Sequence, residues 1–201
     1  DRRQRQMCIR DRLDRAITAR NNKEAVSIAY NGNIVDLWER VVERNIHIEI
    51  GSDQTSLHNP WAGGYYPVGM SYDSANKMMV ENPEEFKKEI QKTLIRHTNA
   101  INTLTEKGMY FFDYGNAFLL EASRANADIL MPNGDFKYSS YVQDILGPMC
   151  FDYGFGPFRW VCASNDPKDL AVTDRIACEV LEKLIKNSPD EIKLQMRDNI
   201  N

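Results

Sequence analysis

Hydrophobic and polar residues follow strand-like and helix-like periods in turn near the start of the chain. Residues 25–30 are a short apolar run, and the turn residues Asn31-Gly32-Asn33 follow it. This pattern predicts a buried strand followed by a turn. Residues 34–43 place apolar side chains at positions i, i+3, i+4, i+7 and i+8, which predicts an amphipathic helix. Residues 46–50 then alternate as a strand that ends at Gly51. A strand, a short helix and a strand in this order predict a right-handed parallel crossover in an α/β sheet.

Two polar loops are predicted to meet at one edge of this sheet. Residues 51–72 form a long loop rich in glycine, proline and aromatic residues, and it begins at the carboxyl end of the second strand. Residues 109–112 are typical of a third buried strand, which carries Asp113-Tyr114-Gly115-Asn116 at its carboxyl end. Because open α/β sheets bind ligands at the carboxyl ends of their strands, we expect both loops to converge on one crevice.

A long helix is predicted between these two loops. Asn82 is a good N-cap, Pro83 suits the first helical position and Gly108 ends the last turn. A stripe along one face is expected to lie in the core, and it consists of Phe86, Ile90, Leu94, His97, Ile101 and Leu104. Residues 117–125 favour another helix.

The remaining chain is predicted to begin a second region. Residues 128–140 are a polar connection with proline and glycine, and we place a domain boundary near its end. A second loop dense in glycine and aromatic residues covers residues 147–160. Residues 173–187 favour a helix, for which Asp166 and Asp174 are candidate caps.

The composition is that of an ordinary globular protein. The chain has 201 residues, of which 42% are hydrophobic and 27% charged, and this excludes low-complexity and collagen-like classes. No stretch approaches the roughly 18 consecutive apolar residues of a membrane span, and residues 1–12 lack the apolar core of a secretory signal. We therefore expect a cytoplasmic protein with no membrane partner. The four cysteines are too few and too irregularly spaced for a disulfide framework.

The net charge of −4 conceals a basic start and an acidic remainder. Residues 1–24 carry eight Lys/Arg against four Asp/Glu, and the other residues carry 17 against 25. A basic arm on an acidic body is compatible with nucleic-acid binding. This segment lacks interleaved aromatic residues and any helix-turn-helix signal, so we expect no nucleic-acid partner.

Few side chains indicate chemistry by themselves. Gly154-Phe155-Gly156 lacks the third glycine of a dinucleotide fingerprint, because Arg159 stands at that position. No metal site is predicted, since the chain has three histidines and no His-Glu-x-x-His spacing. We interpret His47 and His97 as structural. His58 lies in the long loop, and its role stays open between a ligand contact and a surface residue.

Three segments carry a resemblance to a known family. In chain order they are Asp53-Gln54-Thr55-Ser56-Leu57-His58-Asn59-Pro60, Asp113-Tyr114-Gly115-Asn116 and Gly156-Pro157-Phe158-Arg159-Trp160. From about Leu13 to its end, the chain resembles urocanase (urocanate hydratase). The resemblance implies a Rossmann-like NAD-binding domain over residues 13–140, with a parallel sheet and flanking helices. It also implies the start of the family's C-terminal domain over residues 141–201 and a basic arm, residues 1–12, without a counterpart in the family.

The resemblance implies an enzyme of histidine degradation. Such a lyase adds water to urocanate to give imidazolonepropionate, and its tightly bound NAD⁺ serves as an electrophile that is not consumed. The cofactor supplies the difficult chemistry, and the protein positions and polarises it. A full-length member is expected to be a cytoplasmic homodimer with urocanate as its small-molecule substrate.

Position by position, the resemblance implies contacts with NAD⁺ but no catalytic residue and no metal ligand in this chain. The implied contacts are Asn33, Ile34, Gln54, Thr55, Ser56, Leu57, His58, Tyr65, Tyr66 and Tyr114. The family's Gly-Gly-Met-Gly-Gly segment, which holds the pyrophosphate, is expected before Leu13, and its catalytic cysteine is expected beyond Asn201. The family's His-His-Gly-Gly-Gly stretch is absent as well. We therefore expect a central fragment that is inactive alone.

A second hypothesis needs no catalysis. The loop of residues 51–72 is also compatible with a ligand-binding or assembly module that recognises a protein partner. Substitution of loop residues in a full-length version distinguishes the two, because only the enzyme hypothesis expects a loss of hydration activity.

Overall fold

The computed structural model describes residues 2–54, 57–115, 117–153 and 162–190, together with Lys193 and Arg197. The chain divides into two compact units, Asp1–Ser140 and Tyr141–Asn201. The first unit contains the sheet and nearly all of the buried apolar side chains. Along the described residues, no helix is long and apolar enough to span a bilayer.

The first unit opens with a helix where an arm was expected. Helix α1 covers Arg2–Asn21, and its Ile9 and Leu13 are buried in the core with Ile17 packed against them. These side chains recur every four residues and so lie on one face of the helix. The basic arm of residues 1–12 therefore contains a buried position at Ile9, which the many arginines conceal in the sequence.

The strand predicted for residues 25–30 is not formed. These residues have no regular secondary structure, and Val26 is 39% exposed. A strand needs a neighbour to receive its backbone hydrogen bonds, and none of the described strands pairs with this run. The crossover predicted from residues 25–30 is consequently absent from the described sheet.

Helix α2 is found at its predicted position, whereas the strand after it shares only Ile50 with the strand predicted for residues 46–50. Helix α2 covers Ile34–Glu43 as predicted, and the Asn33 side chain caps it by accepting a hydrogen bond from Val35 N at 3.0 Å. Strand β1 covers Ile50–Asp53, so it starts later than predicted and runs through Gly51. A Cβ on Gly51 would lie 2.9 Å from Met109 Sδ, so glycine here permits close packing and does not end the strand.

Two consecutive helices connect β1 to the next strand. Helix α3, Tyr72–Glu81, is missing from the predictions, although Ser71 caps it with its Oγ 3.1 Å from Ser74 N. Helix α4 covers Pro83–Glu106, and Gly108 follows it with a φ of 100°. The predicted core stripe is confirmed in full, because all six of its side chains are at most 2% exposed.

The described strands form a parallel sheet in the order β1-β2-β3. Strand β2, Tyr110–Asp113, pairs with β1 so that Asp53 lies opposite Asp113. Helix α5, Ala117–Arg124, follows β2, and the short strand β3, Ser139–Ser140, pairs with the end of β2. Parallel strands with helices between them confirm the predicted α/β class. Strand β3 is not predicted by the sequence, because its two serines carry no apolar pattern.

The second unit is mainly helical where it is described. A π-helical turn, Tyr141–Leu146, leads into the one-turn helix α6, Gly147–Met149. Helix α7, Pro167–Asn187, starts six residues earlier than predicted, because Asp166 caps it by accepting a hydrogen bond from Lys168 N at 2.9 Å. The segments Gly154-Phe155-Gly156 and 156–160 fall outside the described residues.

Candidate functional site

The carboxyl ends of β1 and β2 bring the two predicted loops together. The backbone N–H of Tyr114 donates to the carbonyl oxygen of Asp53 at 3.0 Å, which continues the pairing of the strands by one residue. Gln54 and Tyr114 therefore stand side by side where the strands end. Gln54 is exposed, and 46% of the Tyr114 surface is exposed. The predicted convergence of the two loops is thus present in the structure.

Asp113 holds the turn that follows β2. Its Oδ1 accepts from Gly115 N at 3.2 Å and its Oδ2 accepts from Leu119 N at 3.1 Å, so the carboxylate joins the turn to the first turns of α5. Burial raises the pKa of Asp113, and the backbone hydrogen bonds and the nearby His58 oppose that rise. Asp113 therefore shapes the site, and its oxygens are already engaged by backbone donors.

The loop after β1 is anchored by one apolar side chain. Leu57 is 1% exposed and belongs to the core, whereas its neighbour His58 is exposed. His58 lies five residues beyond the end of β1, in the same loop as Gln54. The loop then forms the helical turn Pro60–Ala62, which Gly64 N closes on the carbonyl of Asn59 at 3.1 Å. Thr55 and Ser56, two of the predicted contacts, lie outside the described residues.

Tyr65 and Tyr66 have opposite environments. Tyr65 is 4% exposed, and its hydroxyl shares a hydrogen bond of 3.0 Å with Nδ1 of His97. Tyr66 is half-buried, and its hydroxyl donates to Asn76 Oδ1 at 3.0 Å. The side chain of Tyr65 is thus enclosed in the core, and of the two only Tyr66 can present its ring to a ligand.

A cavity of about 470 Å³ lies beside Tyr66. Its walls include Asn31, Gly32, Asn33 and Tyr72, and the rings of Tyr66 and Tyr72 pack with centroids 5.2 Å apart. Asn33 Nδ2 donates to the carbonyl oxygen of Tyr66 at 2.9 Å and so joins the start of α2 to this loop. Ile34, the first residue of α2, is half-buried and does not line the cavity.

Sequence reasoning missed the part of this cavity that comes from α3. Tyr72, with 68% of its surface exposed, and Asn76 lie on that helix, and both contact Tyr66. The available signal was Ser71 followed by an aspartate in the first turn, which is typical of a helix start.

No metal site or cysteine site accompanies these features in the described part of the chain. His, Cys, Asp and Glu side chains form no group of three that could hold a metal ion there. Cys150 is buried with Leu181 in the small core of the second unit, and Cys162 and Cys178 are partly exposed free thiols.

The fold and the strand-edge loops define the class of the first unit as a Rossmann-like α/β domain, and comparison with known proteins gives the family. The Urocanase Rossmann-like domain matches residues 4–145, and the Urocanase C-terminal domain matches residues 148–197. The chain belongs to the urocanase family. The first match includes residues 4–12, which the resemblance had left without a counterpart.

Curated relatives agree with this assignment. The chain is 57% identical over 183 residues to a probable urocanate hydratase of Dictyostelium discoideum, covering 88% of this chain and 27% of that protein. It is 51% identical over 207 residues to the urocanate hydratase of Mus musculus and 50% identical over 207 residues to that of Homo sapiens, in both cases covering 96% of this chain and 30% of the relative. The chain thus spans less than a third of the length of these relatives.

Proposed function

We propose that this chain is the NAD-binding segment of a urocanate hydratase, a lyase of histidine degradation. The names of the relatives support the reaction, in which water adds to urocanate and gives imidazolonepropionate. The hydrogen bond between Tyr114 N and Asp53 O carries the proposal, because it unites the two loops that the resemblance assigns to the cofactor. In the complete enzyme we propose a cytoplasmic homodimer.

The residues at the site fit a nicotinamide dinucleotide. The cavity beside Tyr66 has aromatic and amide walls and is large enough for one of the two nucleosides of the dinucleotide. A Cβ on Gly32 would collide with the Tyr30 ring, so the backbone itself forms that part of the wall. Asn33 and Tyr66 would hold the cofactor at this cavity. Gln54, His58 and Tyr114 would hold it at the carboxyl ends of β1 and β2.

Other predicted contacts act indirectly in this proposal. The side chains of Leu57 and Tyr65 face the core, so they fix the path of the loop, and Ile34 is the half-buried first residue of α2. When bound, NAD⁺ supplies the electrophile for the reaction. The chain's own exposed groups, the His58 imidazole and the Tyr114 hydroxyl, orient the cofactor and donate or accept hydrogen bonds at its edge.

The test uses a chimera in which this segment replaces the matching part of the mouse urocanate hydratase. His58→Ala and Tyr114→Phe should each raise the dissociation constant for NAD⁺ about tenfold, the loss expected for one hydrogen bond to a bound ligand, and should lower hydration at limiting NAD⁺. His47→Ala and Tyr110→Phe are matched controls, because both residues are exposed and neither lies at the carboxyl ends of β1 and β2. The isolated chain should not hydrate urocanate in the same assay.

Unchanged hydration by the His58→Ala and Tyr114→Phe chimeras would contradict the proposal. That result would favour the non-catalytic binding or assembly module. Sub-micromolar NAD⁺ binding by the isolated chain in calorimetry would contradict the expectation that the chain needs a phosphate-holding turn from elsewhere in the enzyme.

A further inference from the structure

Helix α4 contacts the loop between Leu57 and Met70 at three places. The Lys87 ammonium lies 5.2 Å from the ring centroid of Trp61, and Thr93 Oγ1 accepts a hydrogen bond from Val68 N at 3.1 Å. The third contact is the hydrogen bond between His97 and Tyr65. The helix therefore carries a row of side chains that act on one loop.

The contact between His97 and Tyr65 is the most enclosed of the three. His97 is fully buried and Tyr65 is 4% exposed, and their rings are nearly parallel, with 11° between planes and centroids 6.3 Å apart. Phe118 packs against the imidazole with its centroid 4.8 Å away. Water does not compete for a hydrogen bond in such a place, so loss of either partner leaves the other without compensation.

Tyr65 passes this restraint to its neighbour in the chain. Tyr66 lines the cavity, its carbonyl accepts from Asn33, and its ring contacts Tyr72. Because Tyr65 and Tyr66 share a peptide unit, a rotation of the loop that releases Tyr65 also moves this carbonyl and this ring. The position of Tyr66 at the cavity therefore depends on the packing of Tyr65 in the core.

We propose that His97 is a positioning residue for the cofactor: it holds Tyr65 and thereby sets Tyr66 at the cavity wall. This inference rests on the proposed function and extends it to a side chain that does not touch the ligand. Burial lowers the pKa of His97 to about 3, so the ring is neutral and can serve in this hydrogen bond throughout the neutral range.

Hydrogen exchange on the 201-residue chain tests the restraint without any cofactor. Tyr65→Phe removes only the hydroxyl, and His97→Leu removes the ring nitrogen, so both should speed exchange of the Gly64 and Val68 amides about five- to tenfold. His97→Asn, whose amide reaches the position of Nδ1, should restore slow exchange. Thr98→Val is the matched control, because Thr98 is buried on the same helix and its hydroxyl has no hydrogen-bond partner among the described residues.

The second measurement is the dissociation constant for NAD⁺ in the mouse chimera. Tyr65→Phe should raise it about five- to tenfold, with a much smaller change in kcat, and Thr98→Val should leave it unchanged. Equal acceleration of exchange along all of α4, or unchanged exchange of Gly64 and Val68 in a folded Tyr65→Phe variant, would overturn the inference. Failure of the unsubstituted chimera to bind NAD⁺ would instead overturn the proposed function, and the exchange experiment would still decide the role of His97.

Discussion

Replacing Phe118 with alanine is expected to lower the free energy of unfolding of the first unit by about 3–5 kcal/mol. Phe118 is fully buried on α5, and its ring packs against His97 and Phe111 with centroids 4.8 and 6.0 Å away. It therefore joins the long helix to the sheet. Its removal leaves a cavity that the close-packed elements around it can fill only in part.

Urea unfolding of the 201-residue chain measures this effect. Leu120→Ala is the matched control, because Leu120 lies on the same helix with 40% of its surface exposed, and its loss should cost less than about 1 kcal/mol. Equal destabilisation by the two substitutions would mean that α5 does not pack on the core through Phe118.

Acidification from pH 7 to pH 5 is expected to destabilise the first unit by about 2 kcal/mol through His97 alone. Burial lowers the pKa of this histidine from 6.5 to about 3 in the folded chain, with Tyr65 and Phe118 packed against the ring. Between these two pKa values the unfolded chain binds the proton and the folded chain does not. The free energy of unfolding is therefore not reduced by His97 above about pH 6.5, and it decreases as the pH is lowered toward 3.

The measurement is the free energy of unfolding as a function of pH for the unsubstituted chain, His97→Gln and His47→Gln. His97→Gln should lose most of the slope between pH 7 and 5, whereas His47→Gln should keep it, because His47 is exposed. A slope that survives in His97→Gln would show that another group is responsible.

The sequence predicts those elements whose pattern is local. Helix α4 carries its proline and its core stripe within its own residues, and both are found where predicted, whereas Asn82 stands at the N-cap without a side-chain cap hydrogen bond. Strand β2 also follows from its own apolar run, whereas β1 shares only Ile50 with the run that predicted it. The convergence of Gln54 and Tyr114 then comes from topology, since adjacent parallel strands end at the same edge.

Predictions that depend on partners elsewhere in the chain were less successful. Residues 25–30 have the composition of a strand, but pairing requires a neighbour that the run itself does not specify. Ile9 and Leu13 were concealed because eight Lys/Arg surround them in residues 1–24. Tyr65 and Tyr66 are the same residue type in adjacent positions, and only the position of His97 in the core shows which ring is enclosed.

A crystal structure of the NAD⁺-loaded mouse chimera would show most directly whether the two loops hold one cofactor. We expect Gln54 and Tyr114 both to contact the same NAD⁺ molecule, with hydrogen-bond distances of about 3 Å. A cofactor bound elsewhere, touching neither residue, would contradict it.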